Sequence, residues 1–114
     1  MHDVRIERDR GVGVLRASGE LDAFVAPDLE SAFAGLADER VVLVDLGPVS
    51  FMDSTALGIV VRGVRAFRDR DVVARVVLPG GTARRIFEIT ALEDVLPVAS
   101  DRATALDDLA ARPS

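Results

Sequence analysis

Two short stretches concentrate the residues that could do chemistry. One is "FMDSTALG" (51–58), which sets Asp53, Ser54 and Thr55 between an apolar run and a helical pattern; the other is "GELDAF" (19–24), which places Asp22 before another helical pattern. A serine nucleophile needs a base within hydrogen-bond reach. The chain has one histidine, His2, placed where a frayed terminus is expected, and the serine is not set in G-x-S-x-G. Asp22 and Asp53 are a possible acid–base or metal-binding pair, but two carboxylates without further ligands are weak support for either chemistry. Asp, Ser and Thr are all favoured helix N-caps, so capping alone accounts for the motif in structural terms. One further chemistry remains open, covalent modification. A phosphoserine adds about −1.5 to −2 charges at neutral pH. At a helix start that charge meets free amides and the positive end of the helix dipole. Such a modification would leave the fold intact and act on whatever surface docks there.

The elements that must position these residues can be read from hydrophobic period. Residues 4–21 alternate as two strands around the turn-like "DRG", which predicts a hairpin. In 27–37, Leu29, Ala32, Phe33 and Leu36 fall on one helical face, with Pro27 in the first turn and Asp28 and Glu30 near the positive end of the dipole. "RVVLVDL" (40–46) is a continuous β-branched run, the pattern of a strand buried on both faces of a parallel sheet, and "DVVARVVL" (71–78) reads as a second buried strand. Between them, Ser54 to about Arg68 returns to helical period, with Leu57, Val60, Val61 and Val64 as its apolar stripe. A helix capped by Thr82 with Ile86, Phe87 and Ile89, a short strand in "VLPVA" and a last helix carrying Ala105, Leu106 and Leu109 complete the order. The expectation is one α/β domain over residues 1–114. Its sheet has four to five mostly parallel strands entered by an antiparallel hairpin, with about four helices.

Composition narrows the function. A length of 114 residues suits a single domain, and 49% hydrophobic with 29% charged residues is an ordinary globular mixture. A net charge of −5 with no Trp or Tyr argues against a DNA- or RNA-binding surface. The absence of cysteine removes thiolate chemistry and Cys-type zinc sites. "PGGT" has neither Walker spacing nor its lysine. No cofactor, metal site or catalytic residue is expected. No apolar run reaches the roughly 20 residues of a membrane span, and the charged N-terminus lacks a signal core, so a cytoplasmic location is expected.

"GELD" (19–22), "VVLVDLGPVSFMDSTALGIVV" (41–61) and "RRIFEITAL" (84–92) together resemble a bacterial anti-sigma factor antagonist of the STAS domain family, in order and spacing over nearly the whole chain. The resemblance implies partner switching. The unphosphorylated antagonist binds an anti-sigma factor that is also a serine kinase, and so frees a sigma factor. The kinase then phosphorylates the antagonist, and a metal-dependent phosphatase reverses the mark. On this resemblance Ser54 matches the phosphoacceptor, Asp53 its acidic neighbour, Thr55 a second hydroxyl position and Asp22 an acidic docking position. Ala56, counted with Asp22, Asp53, Ser54, Thr55, Phe24 and Ile59 among the partner-binding positions, stands where the family often has Gly. Val25 stands where a small hydroxyl residue often precedes the first helix, which weakens that cap. Phe24, Ile59 and Ala66 read either as an exposed patch facing the partner or, equally well, as residues packed against neighbouring elements. The alternative implied by the same family is a non-enzymatic subunit of a transporter-associated or stress-sensing complex, in which Ser54 only caps.

Overall fold

The computed structural model describes residues 2–78, 98–99 and 102–110. The chain opens with β1 (His2–Asp9) and β2 (Val12–Leu21), paired antiparallel in full register from His2 opposite Gly19 to Asp9 opposite Val12. Arg10 and Gly11 make the two-residue turn between them, both at positive φ (51° and 80°), the backbone twist that a tight hairpin requires. His2 is therefore the first residue of a strand rather than part of a frayed end.

Next come α1 (Ala26–Gly35), β3 (Val41–Asp45), β4 (Val49–Met52), α2 (Ser54–Asp69), β5 (Val73–Val77), β6 (Val98–Ala99) and α3 (Arg102–Ala110). The sheet path is β1-β2-β3-β5-β6, five strands with every pair after the hairpin parallel, as the sequence pattern implied. The four-residue β4 is an addition, pairing with β2 beyond the reach of β3. Among the described residues there are three helices where about four were expected; the helix expected from Thr82 lies outside those residues.

Alternation along the strands sorts the core into two layers. Leu15, Ala17 and Leu21 of β2, with Val42 and Val44 of β3, pack against α1 and α2. Val12, Val14, Leu43 and Val77 point the other way, against Ala105, Leu106 and Leu109 of α3. β3 is thus covered on both faces, which is why its sequence shows no polar alternation. On α2 the buried residues are Ala56, Ile59, Val60, Val64 and Phe67, whereas Leu57 and Val61 are only partly covered. The buried stripe is rotated from the expected one because α1 lies against Ile59 and Gly63. A Cβ at Gly63 would come within 2.5 Å of the Phe33 ring, so this close helix crossing needs glycine there.

On the α3 layer, Asp45 is 3% exposed. Its Oδ1 accepts from the Gly47 amide at 3.0 Å and its Oδ2 from Arg102 at 3.2 Å, while the other terminal nitrogen of Arg102 donates to Glu7 at 2.9 Å. One guanidinium therefore pins the start of α3 to both β1 and β3. The hydrogen bond from Arg102 is the main cause holding the Glu7 carboxyl below its usual value of 4.5. A carboxyl lowered on folding adds stability above its unfolded pKa and loses it as pH falls through the folded value. The stability difference between wild type and Glu7→Gln should accordingly be full at pH 7 and shrink from near pH 4.5 downward, with Arg102 staying charged throughout. Urea unfolding of both proteins across that range checks it; a difference that does not change with pH would contradict the role given to this pair. No helix among the described residues is long and apolar enough to cross a membrane.

Candidate functional site

The site forms where β2 and β4 end side by side. Leu21 is in parallel register with Met52, so Asp22 and Asp53 leave the sheet at the same level. The Asp53 amide donates to the Leu21 carbonyl at 3.0 Å, joining the two chain ends before either helix begins.

Asp53 is the N-cap of α2, with extended backbone (φ −85°, ψ 176°). Its Oδ1 accepts from the Ala56 amide at 2.9 Å, the usual capping bond to a first-turn donor. Its Oδ2 accepts from the Ala23 amide at 3.0 Å, in the loop between β2 and α1. One carboxylate thus holds the helix start and the neighbouring loop together. Asp22 turns that loop: its Oδ1 accepts from the Phe24 amide at 3.0 Å and its carbonyl from the Val25 amide at 3.0 Å. Both carboxylates are thereby engaged as acceptors of backbone amides, an arrangement that fixes the two loops. Among the described residues no three His, Asp or Glu side chains gather as a metal-binding group.

Because Asp53 caps the helix, Ser54 does not have to. Ser54 is the first residue of α2 and is exposed, and its hydroxyl makes no hydrogen bond among the described residues. Thr55 beside it is also exposed. Phe24 projects from the braced loop with 87% of its surface exposed, a large apolar side chain with no covering neighbour among the described residues. Val25, the residue before α1, provides no side-chain cap, in line with the weak cap expected from its sequence.

Two expected contact residues are placed elsewhere. Ala56 is fully buried and Ile59 is 5% exposed, both within the core shared with α1. Ile59 is therefore not part of an exposed patch with Phe24 and Ala66; the rotation of α2 onto α1 takes it inside. Ala66 is exposed, but three turns along the helix from Ser54. The sequence reading missed Phe51, which is 51% exposed on β4 opposite Glu20 of β2. "VSFM" is buried, exposed, exposed, buried, and four residues after Gly47-Pro48 without strict alternation are too few to read as a strand.

The surroundings are acidic. Residues 17–30 and 46–61, which build this end of the molecule, contain Glu20, Asp22, Asp28, Glu30 and Asp53 and no arginine, lysine or histidine. The first cation along α2 is Arg62.

Comparison with known proteins agrees with this architecture. Residues 3–105 match the STAS domain. The chain is 38% identical over 96 residues to the anti-sigma-B factor antagonist of Listeria monocytogenes, covering 81% of this chain and 82% of that one. It is 34% identical over 86 residues to the anti-sigma-B factor antagonist of Staphylococcus aureus, covering 74% and 80%. Among solved structures, an anti-sigma factor antagonist from Mycobacterium paratuberculosis superposes with a TM-score of 0.85 at 26% identity, over 96% of this chain and 94% of that one. The chain belongs to the STAS domain family, and within it to the bacterial anti-sigma factor antagonists.

Proposed function

We propose that this protein is a partner-switching regulator controlled at Ser54. In its unphosphorylated form it binds an anti-sigma factor with serine kinase activity and so releases a sigma factor. The kinase ends the association by moving the γ-phosphoryl group of ATP onto the Ser54 oxygen. ADP leaves, and the hydroxyl proton passes to a base of the kinase. A metal-dependent serine phosphatase returns the serine by hydrolysis. The protein is substrate and ligand in this cycle, not an enzyme, and acts in the cytoplasm without touching DNA, RNA or membrane.

The observation that carries the reading is the uncommitted hydroxyl of Ser54 at the exposed start of α2, left free because Asp53 does the capping. Around it, Asp22, Thr55 and Phe24 supply the contact surface. Asp53 braces that surface, and Ala56 and Ile59 support it from beneath. Phosphorylation adds about −1.5 to −2 charges to an end of the molecule whose segments 17–30 and 46–61 already carry five carboxylates and no arginine or lysine. The kinase's bound nucleotide is anionic where it meets Ser54, so the modified serine repels the surface that produced it.

Calorimetric titration of the purified protein with its cognate anti-sigma factor tests this. Wild type should bind, and Ser54→Asp should bind at least about tenfold more weakly, the effect of a charge desolvated against an unmatched surface. Equal affinities would remove the electrostatic switch from the proposal.

A further inference from the structure

Resting on Ser54 being the modified residue, we propose that the phosphate is held within this chain by Arg62, reaching back along α2 across Gly58. The spacing 54, 58, 62 runs up one side of the helix in steps of four, each step a rise of about 6 Å. Long side chains on a helix lean toward its N-terminus, and Arg62 does so. A Cβ built at Gly58 would lie 3.3 Å from Nη1 of Arg62, so the guanidinium rests over Gly58, one turn from Ser54. Glycine at 58 leaves that path low and open; a larger side chain there would lift the guanidinium away from the helix.

The helix end offers a phosphate only part of its first amides here. Ala56 is already bonded to the Asp53 carboxylate and Leu57 to the Asp53 carbonyl, which leaves those of Ser54 and Thr55. Arg62, the first cation along the helix, can add a charged donor to them. Arg62 makes no ion pair or hydrogen bond among the described residues. Glu30 of α1 lines the same groove between the helices but lies beyond ion-pair distance. A guanidinium presents paired N–H groups that match phosphate oxygens. In this arrangement the phosphorylated state is a defined conformer in which phosphate and Arg62 meet over Gly58, turned along α2 and away from the Phe24 loop. The serine is then both repelled from the partner and occupied within its own chain.

The test uses the full chain with phosphoserine installed at position 54 during translation, which requires no kinase. The second ionisation of the phosphate is followed by phosphorus NMR across pH 4.5–8. The negative groups facing it, Asp53 beside it, Asp22 in the β2–α1 loop and Glu30 on α1, are the same in all variants. Replacing a cation about 5 Å away in water should raise the phosphate pKa by roughly half a unit. Arg62→Ala should show that rise, Arg62→Lys should recover part of it, and Arg65→Ala, an exposed cation farther along α2, should change it less. Coincident titrations of wild type and Arg62→Ala, or equal shifts from Arg62→Ala and Arg65→Ala, would overturn the pairing. Whether a kinase modifies Ser54 is decided separately by phosphate transfer to wild type, so the two ideas fail by different results.

Discussion

Ser54→Ala should take up no phosphate from the cognate kinase and ATP, while wild type takes up one phosphate per chain. The substitution removes only an exposed hydroxyl without a partner among the described residues, and the cap of α2 belongs to Asp53. Thermal stability should therefore stay within about 0.5 kcal/mol of wild type, as for surface changes away from structural features. Loss of phosphate transfer with an unchanged fold is the pairing that identifies an acceptor rather than a structural serine. Thr55→Ala is the informative companion. Thr55 is also exposed, one residue on and about 100° around the helix, so it presents its hydroxyl in a different direction. Thr55→Ala should still be phosphorylated once. If Ser54→Ala is labelled as well as wild type and Thr55→Ala is not, the acceptor is Thr55 and the switch moves with it. The Ser54→Ala protein should also remain bound to the anti-sigma factor in the presence of ATP, under conditions in which wild type is released.

The parts of the fold legible in the sequence are those whose signal is local. The continuous apolar run of β3 states its own double-sided burial, β5 reads as a second buried strand although Arg75 interrupts it, and the hairpin is written in alternation around Arg10 and Gly11. Leu29, Phe33 and Leu36 of the α1 region were correctly placed inward by helical period alone. What escaped depends on partners distant in sequence. The inward face of α2 is set by Phe33 settling over Gly63, and that contact turns Ile59 into the core although its spacing equally suited a surface. Asp45 reads as the polar end of a strand until Arg102, 57 positions later, is brought beside it. β4 follows Gly47-Pro48 and spans four residues, too few for periodicity to speak.

The candidate site divides in the same way. Its residue types were visible in "FMDSTALG" and "GELDAF", and so was the choice between capping and modification. The division of labour was not: the capping bond belongs to Asp53, and its second oxygen reaches Ala23, 30 residues earlier, where no helical or strand period connects them. The capping role and the proposed modification consequently fall on adjacent residues and do not compete for one side chain.

That division makes Asp53→Ala the substitution with the widest expected effect. It removes the cap of α2, worth about 1 kcal/mol, and the bond to Ala23, worth about another 1 kcal/mol for a hydrogen bond to a charged group at a partly exposed site. The domain should lose about 2 kcal/mol, which for a chain of this size lowers the melting temperature by roughly 10 °C. Affinity for the anti-sigma factor should fall as well, because the loop carrying Phe24 is no longer held beside Ser54. Phe24→Ala separates contact from positioning. Phe24 is 87% exposed, so its truncation should leave stability within about 0.5 kcal/mol. An aromatic anchor buried on binding is worth about 2 kcal/mol, roughly thirtyfold in affinity. Asp53→Asn retains one acceptor oxygen and can satisfy Ala56 or Ala23 but not both, so it should fall between wild type and Asp53→Ala in both measurements. The decisive comparison is the double variant. If Asp53 acts on binding by positioning Phe24, adding Asp53→Ala to Phe24→Ala should cost stability in full and affinity very little. Affinity losses that add would mean that Asp53 touches the partner itself, and the brace between the two loops would be structural only.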